Sequence, residues 1–125
     1  MGYNGLVSWG IEFTDEFGSW WEVLTEDEQD AVDRVVRLLE ERGPLLRFPY
    51  SSGIERSKHP EMRELRIQHR GDPYRVLYAF DPRRMAILLL GGNKTGDDRW
   101  YETQVPKADK LFDDHLLTLK KEGLL

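Results

Sequence analysis

Apolar residues recur along this chain with two different periods. Val7, Trp9, Ile11 and Phe13 alternate with Ser8, Gly10 and Glu12, the period of two that predicts a half-buried strand. Thr14 then suits the N-cap of a short helix, with Asp15 and Glu16 at its positive end. Phe17, Trp20, Trp21 and Leu24 follow at i, i+3, i+4 and i+7, one face of that helix. Thr25 and Glu28 are spaced as a capping box for a second helix. Its apolar stripe is Val32, Val35, Val36 and Leu39, and Gly43-Pro44 ends it.

Residues 44–61 hold three prolines and no clear period, and read as a long connection. Three strand patterns come next. In 63–70, Leu65 and Ile67 oppose Glu64, Arg66 and Gln68. In 74–81, Tyr74, Val76, Tyr78 and Phe80 share one face, and Arg75, Leu77 and Ala79 the other. Residues 85–90 are apolar throughout, which suits a strand covered on both sides. Gly71-Asp72-Pro73 and Asp81-Pro82-Arg83 supply turn chemistry between them, so an antiparallel meander is expected. A last helix should carry Pro106 in its first turn, with Ala108, Leu111, Phe112, His115, Leu116 and Leu119 facing inward. The order β-α-α-β-β-β-α predicts an α+β fold, helices packed on a twisted, mainly antiparallel sheet.

The length, 125 residues, fits a single domain over 1–125. Without cysteine, neither a disulfide nor a thiolate metal site can form. No leader pattern opens the chain, and its longest apolar run falls well below the ~20 residues of a membrane helix. A cytoplasmic protein with no membrane partner is therefore expected. The net charge of −5 argues against a general nucleic-acid binder, but the charge is unevenly spread. Residues 1–46 carry −8, residues 47–99 carry +4 and residues 100–125 carry −1.

Candidate chemistry concentrates in the positive middle. Gly91-Gly92-Asn93-Lys94-Thr95-Gly96 lacks the spacing of a phosphate-binding loop, and no G-x-S-x-G elbow occurs. His59, His69 and His115 have no ligand spacing, so no metal site and no cofactor are expected, and His115 on an apolar helix face reads as a core histidine. What stands out is a set of cations and aromatics on successive strands. Arg63, Arg66 and Arg70 lie on the first, Tyr74 and Arg75 on the second, and Lys94 just past the third, with Arg99, Trp100 and Tyr101 beyond. Arg66 and Arg75 both fall opposite apolar faces, so one side of the sheet can present them. Guanidinium groups bind phosphate bidentately and aromatic rings stack on unpaired bases. A solvent-washed face studded with arginine would give the same pattern.

Glu64-Leu65-Arg66-Ile67, a short turn, Tyr74-Arg75-Val76-Leu77-Tyr78, an apolar strand and Lys94-Thr95 before a C-terminal helix together resemble the HigB branch of the RelE/ParE toxin superfamily. The resemblance runs from about residue 7 to residue 120. It implies a toxin of a type II toxin–antitoxin system, cutting mRNA on the ribosome without a metal through attack of a ribose 2′-hydroxyl on the adjacent phosphate. It also implies Arg66, Arg75, Lys94 and Tyr101 as catalytic residues and Arg63, Gln68, Arg70 and Arg99 as RNA contacts. The implied partners are a cognate helix-turn-helix antitoxin, the ribosome with its mRNA, and operator DNA only through the antitoxin. Gln68 and Thr95 stand where relatives often carry a basic residue. Those departures keep open a binding-only relative that inhibits a protein target such as gyrase, or an inactive one that only binds the antitoxin.

Overall fold

A computed structural model describes residues 8–125. Strand β1 (Ile11–Phe13) leads into α1 (Asp15–Val23) and α2 (Glu26–Arg42), and a 3₁₀ turn follows at Gly43–Leu45. Strands β2 (Ser51–Gly53), β3 (Arg63–His69), β4 (Asp72–Phe80) and β5 (Ala86–Asn93) precede the long C-terminal helix α3 (Trp100–Lys121). The five strands form one sheet in the order β1-β5-β4-β3-β2, with β1 parallel to β5 and all other pairs antiparallel.

The helix starts behave as the local chemistry requires. The Thr14 side chain accepts the Phe17 N–H, and Thr25 and Glu28 form a reciprocal capping box at the head of α2. Gly43 closes α2 at φ 54°, a left-handed conformation that a side chain would strain. Helices α1 and α2 cover one face of the sheet, where Phe17, Val32, Val35 and Leu39 pack on Leu65, Ile67, Val76 and Tyr78. Helix α3 covers the other face, setting Trp100, Val105, Ala108 and Phe112 on Leu77, Ala79, Ile87 and Leu89. The sheet is therefore the middle of three layers, and β5 is apolar on both sides because both are covered. A bulge at Leu77/Tyr78 pairs Leu77 with Leu90 and Tyr78 with Leu88, so the extra residue Leu89 joins Leu90 in the α3 layer.

Three expectations need correction. The connection 44–61 contains β2, whose Ser-Ser-Gly sequence has no apolar alternation. It is held instead by backbone pairing to β3 and by the Ser51 hydroxyl, 2.7 Å from the Tyr78 hydroxyl. Helix α3 begins at Trp100, not at Pro106, so the proline lies inside it. Backbone turns and the Asp97 carboxylate, which accepts the Arg99 N–H, start the helix earlier. The first strand is only Ile11–Phe13, with Phe13 65% exposed at the sheet edge, and Val7 lies outside the described residues.

Candidate functional site

The site grows from the register of β3 on β4. Arg66 pairs directly with Arg75, and Glu64 with Leu77, so Glu64, Arg66 and Arg75 share the face that α3 covers. Because α3 starts at Trp100, Tyr101 in its first turn comes down onto this cluster. The Tyr101 hydroxyl donates to Glu64 Oε1 at 2.5 Å. Arg75 Nε donates to the same hydroxyl at 3.3 Å and lies 3.4 Å from Glu64 Oε1. On the other carboxylate oxygen, Ser52 Oγ donates at 2.6 Å and Arg66 Nη1 at 3.1 Å. Arg75 also donates from Nη1 to its neighbour's carbonyl, Tyr74 O, at 3.0 Å.

A single buried carboxylate thus organises two arginines, a tyrosine and a serine. The exposure of its partners differs sharply. The Arg75 side chain is 7% exposed and that of Glu64 5%, whereas Arg66 is 29% exposed. Alternation along β4 predicts the side of the sheet that Arg75 takes, but that side is not open, because α3 with Trp100 and Tyr101 covers it. Glu64 reads as an ordinary polar strand position, and only its place opposite Leu65 and Ile67, beside Arg66, hints at the hub it forms.

Lys94 continues β5 by one residue, its N–H bonded to Pro73 O, and its Nζ stands 5.6 Å from the centre of the Tyr101 ring. Burial and then the Glu64 carboxylate push the Tyr101 phenol above its ordinary value of 10.0, so at neutral pH it remains a donor. Arg66, Arg75, Lys94 and Tyr101 are therefore assembled in one place, with two arginines on one carboxylate and the lysine over the tyrosine ring. Beside them runs an open groove of about 470 Å³ between the β2–β3 connection and the head of α3, lined by Ile54, Arg56, Glu64 and Tyr101. Its rim is acidic, with Glu55, Asp98 and Glu102.

The four residues expected to contact RNA do not gather with them. Arg63 is on the α2 face, its Nε donating to Ser51 Oγ at 3.0 Å. Arg70 sits in the β3–β4 turn, paired with Asp27 of α2 at 2.9 Å. Arg63 and Arg70 are separated by the length of β3, ~20 Å at strand rise. Gln68 shares the Arg66 face but is exposed near the turn, bonded to Gly71 O at 3.2 Å. Arg99 is exposed just before α3, 3.8 Å from Glu102. His115 contacts no part of the cluster; its Nε2 lies 2.8 Å from the buried Asp81 carboxylate. Among the described residues no group of His, Cys, Asp or Glu is arranged to hold a metal ion, and no helix is long and apolar enough to cross a membrane.

The fold is that of RelE-type toxins. A chain of the crystal structure of the RelBE2 toxin–antitoxin complex from Mycobacterium tuberculosis aligns over 70% of this chain and 92% of its own, with TM-score 0.52 and 20% identity. The isolated E. coli RelE toxin aligns over 76% of this chain and 94% of its own, with TM-score 0.53 and 16% identity. Residues 19–113 match the family model described as Phage derived protein Gp49-like (DUF891). HigB3 of Mycobacterium tuberculosis, named as a toxin, is 41% identical over 98 residues, covering 78% of this chain and 84% of the relative. HigB2 of the same organism, also named as a toxin, is 36% identical over 112 residues; they make up 88% of this chain but only 55% of the relative's length. The chain belongs to the Gp49-like family and is a relative of the HigB toxins, with the fold of RelE-type toxins.

Proposed function

We propose that residues 1–125 act as one toxin domain that arrests translation by cutting mRNA on the ribosome, and that a cognate helix-turn-helix antitoxin neutralises it. The observation that carries this reading is the convergence of Arg66, Arg75 and Lys94 around Tyr101, with a single buried carboxylate to offset them. Cleavage proceeds by attack of a ribose 2′-oxygen on the adjacent phosphorus, its proton passing to water, with the 5′-oxygen of the next nucleotide leaving. Arg66, the more exposed guanidinium, meets the phosphate charge. Arg75 is fixed by Glu64 and Tyr101 behind it and adds to the positive potential at the phosphate. Lys94 donates the proton the leaving oxygen needs. Such fixed electrostatic stabilisation is usually the largest catalytic contribution. The cluster carries few acid–base groups, which makes positioning by the ribosome the remaining requirement.

The binding-only alternative draws on one observation, the acidic rim of Glu55, Asp98 and Glu102 beside the cluster, which repels phosphate and suits a basic protein partner. Induced expression followed by primer extension on a reporter with and without its start codon separates the two. Cuts confined to the translated message support the nuclease. Equal cutting of both messages removes ribosome dependence, and growth arrest with intact mRNA favours the protein target.

A further inference from the structure

The segment between the 3₁₀ turn and β2 holds an aromatic ring that the cluster described above does not use. Phe48 is 70% exposed, an unusual position for a ring of that size, and the Arg66 guanidinium carbon lies 5.0 Å from its centre. The ring is not on a loose loop. Buried Leu46 anchors the segment on one side and buried Ser51 on the other. Between them, Arg47 O accepts the N–H groups of both Tyr50 and Ser51 at 3.0 and 3.1 Å, and Tyr50 O accepts the Arg66 N–H at 2.9 Å. The backbone is thus tied to β3 at the residue whose side chain meets the ring.

We infer that Phe48, backed by Arg66, is a stacking platform for an unpaired nucleobase of the RNA next to the cleaved phosphate. The inference rests on the nuclease reading given above. Arg66 is the joint between the two parts: one N–H is spent on Glu64, and its guanidinium lies over one side of the Phe48 ring. The high exposure of the ring leaves apolar area for a base. A base on that ring would carry its own phosphate within reach of the partly exposed arginine. Single-stranded RNA is recognised in this way, by stacking bases on aromatic rings and arginine planes. An ordered turn makes the arrangement inexpensive to occupy, because the ring does not have to be immobilised on binding.

The test measures single-turnover cleavage of a synthetic message on programmed ribosomes as the concentration of the full chain is varied. Phe48→Ala and Phe48→Leu should raise the half-saturating concentration about 5- to 150-fold, the loss of one stacked base. Phe48→Tyr and Phe48→Trp should restore it, and thermal melts of all four should match the parent. If Phe48→Leu cleaves like the parent, the aromatic ring is not needed and the platform is refuted. Failure of Phe48→Tyr and Phe48→Trp alongside Phe48→Leu also refutes it. Unchanged cleavage with a broken antitoxin complex would make the ring a protein-docking residue instead, and would leave the nuclease reading standing. A parent chain that does not cut the message, with Arg66→Ala no different, removes both the nuclease reading and the platform.

Discussion

Replacing Arg75 by methionine isolates the energetic role of the Glu64 hub. Methionine keeps the unbranched apolar stem of arginine but stops short of the guanidinium, so the change removes the charge and the two hydrogen bonds that Arg75 makes to Tyr101 Oη and Tyr74 O. Glu64 stays buried with Arg66, Ser52 and Tyr101 as its remaining partners. Breaking a buried pair by removing one member costs ~3–5 kcal/mol, and the surviving partners place this case at about 3. For a chain of 125 residues the unfolding entropy is about 0.26 kcal/mol/K, so the melting temperature should fall by about 11 °C. Adding Glu64→Gln should recover most of that loss, because an amide does not need the missing cation. Differential scanning calorimetry of the parent, both single variants and the double variant closes the cycle. A surface arginine would shift stability by only about ±0.5 kcal/mol. An Arg75→Met melt within 2 °C of the parent, or a double variant no better than the sum of the singles, would refute the buried-hub account.

Arg66→Ala should lower mRNA cleavage about 10²–10³-fold while the melt drops by less than about 5 °C, since this arginine is partly exposed and one of four partners of Glu64; a fall in both together would make Arg66 structural. Thr25→Ala should cost about 1 kcal/mol by opening the capping box, read as a melt lowered by about 4 °C. Burial raises the Asp81 pKa, but the donors His115, Arg83 and the Met85 N–H outweigh it and hold the carboxyl below its ordinary 3.8. Because its folded value is the lower one, Asp81 stabilises fully above about pH 4 and loses that contribution as pH falls through the folded value. Asp81→Asn should therefore flatten the acid limb of the stability curve below pH 4, and an unchanged limb in a urea series would contradict the assignment. The Tyr74 phenol, buried and bonded to Glu28, is pushed up to about 12, so Tyr74→Phe should remove the last step of an alkaline absorbance titration.

Much of the framework is legible from side-chain pattern alone. Thr25 with Glu28, the Phe17–Trp20–Trp21–Leu24 stripe and the turn residues between β3, β4 and β5 each state a local preference that tertiary packing agrees with. Strand β2 is not legible because Ser51–Gly53 is defined by its neighbour's hydrogen bonds, not by its own side chains. The head of α3 is missed for a related reason: Pro106 is a strong local signal, yet the turn at Asp97 starts the helix six residues earlier, where Trp100 packs against Gly92. Alternation along β4 assigns Arg75 to the correct face, and whether that face is wet depends on a helix some twenty-five residues away. Glu64 could have been suspected only by asking what neutralises two arginines facing each other across β3 and β4.

At the end of β5, two adjacent glycines carry a tryptophan on opposite sides of the sheet. A Cβ at Gly91 would lie 2.4 Å from the Trp20 ring, and one at Gly92 2.7 Å from Trp100 Nε1. Neither ring can step aside without leaving its layer, so each glycine is committed to the tryptophan it faces. The two commitments are separate because successive residues of a strand look in opposite directions. Sequence change at this point should therefore come in pairs. A relative with a small residue in place of Trp20 is free to lose Gly91 but not Gly92, and one without Trp100 has the opposite freedom. Drift in the α1 layer can thus proceed while the α3 layer, which holds Tyr101 against Glu64, keeps its shape. The dipeptide lets one side of the protein change its surface without disturbing the other side's chemistry.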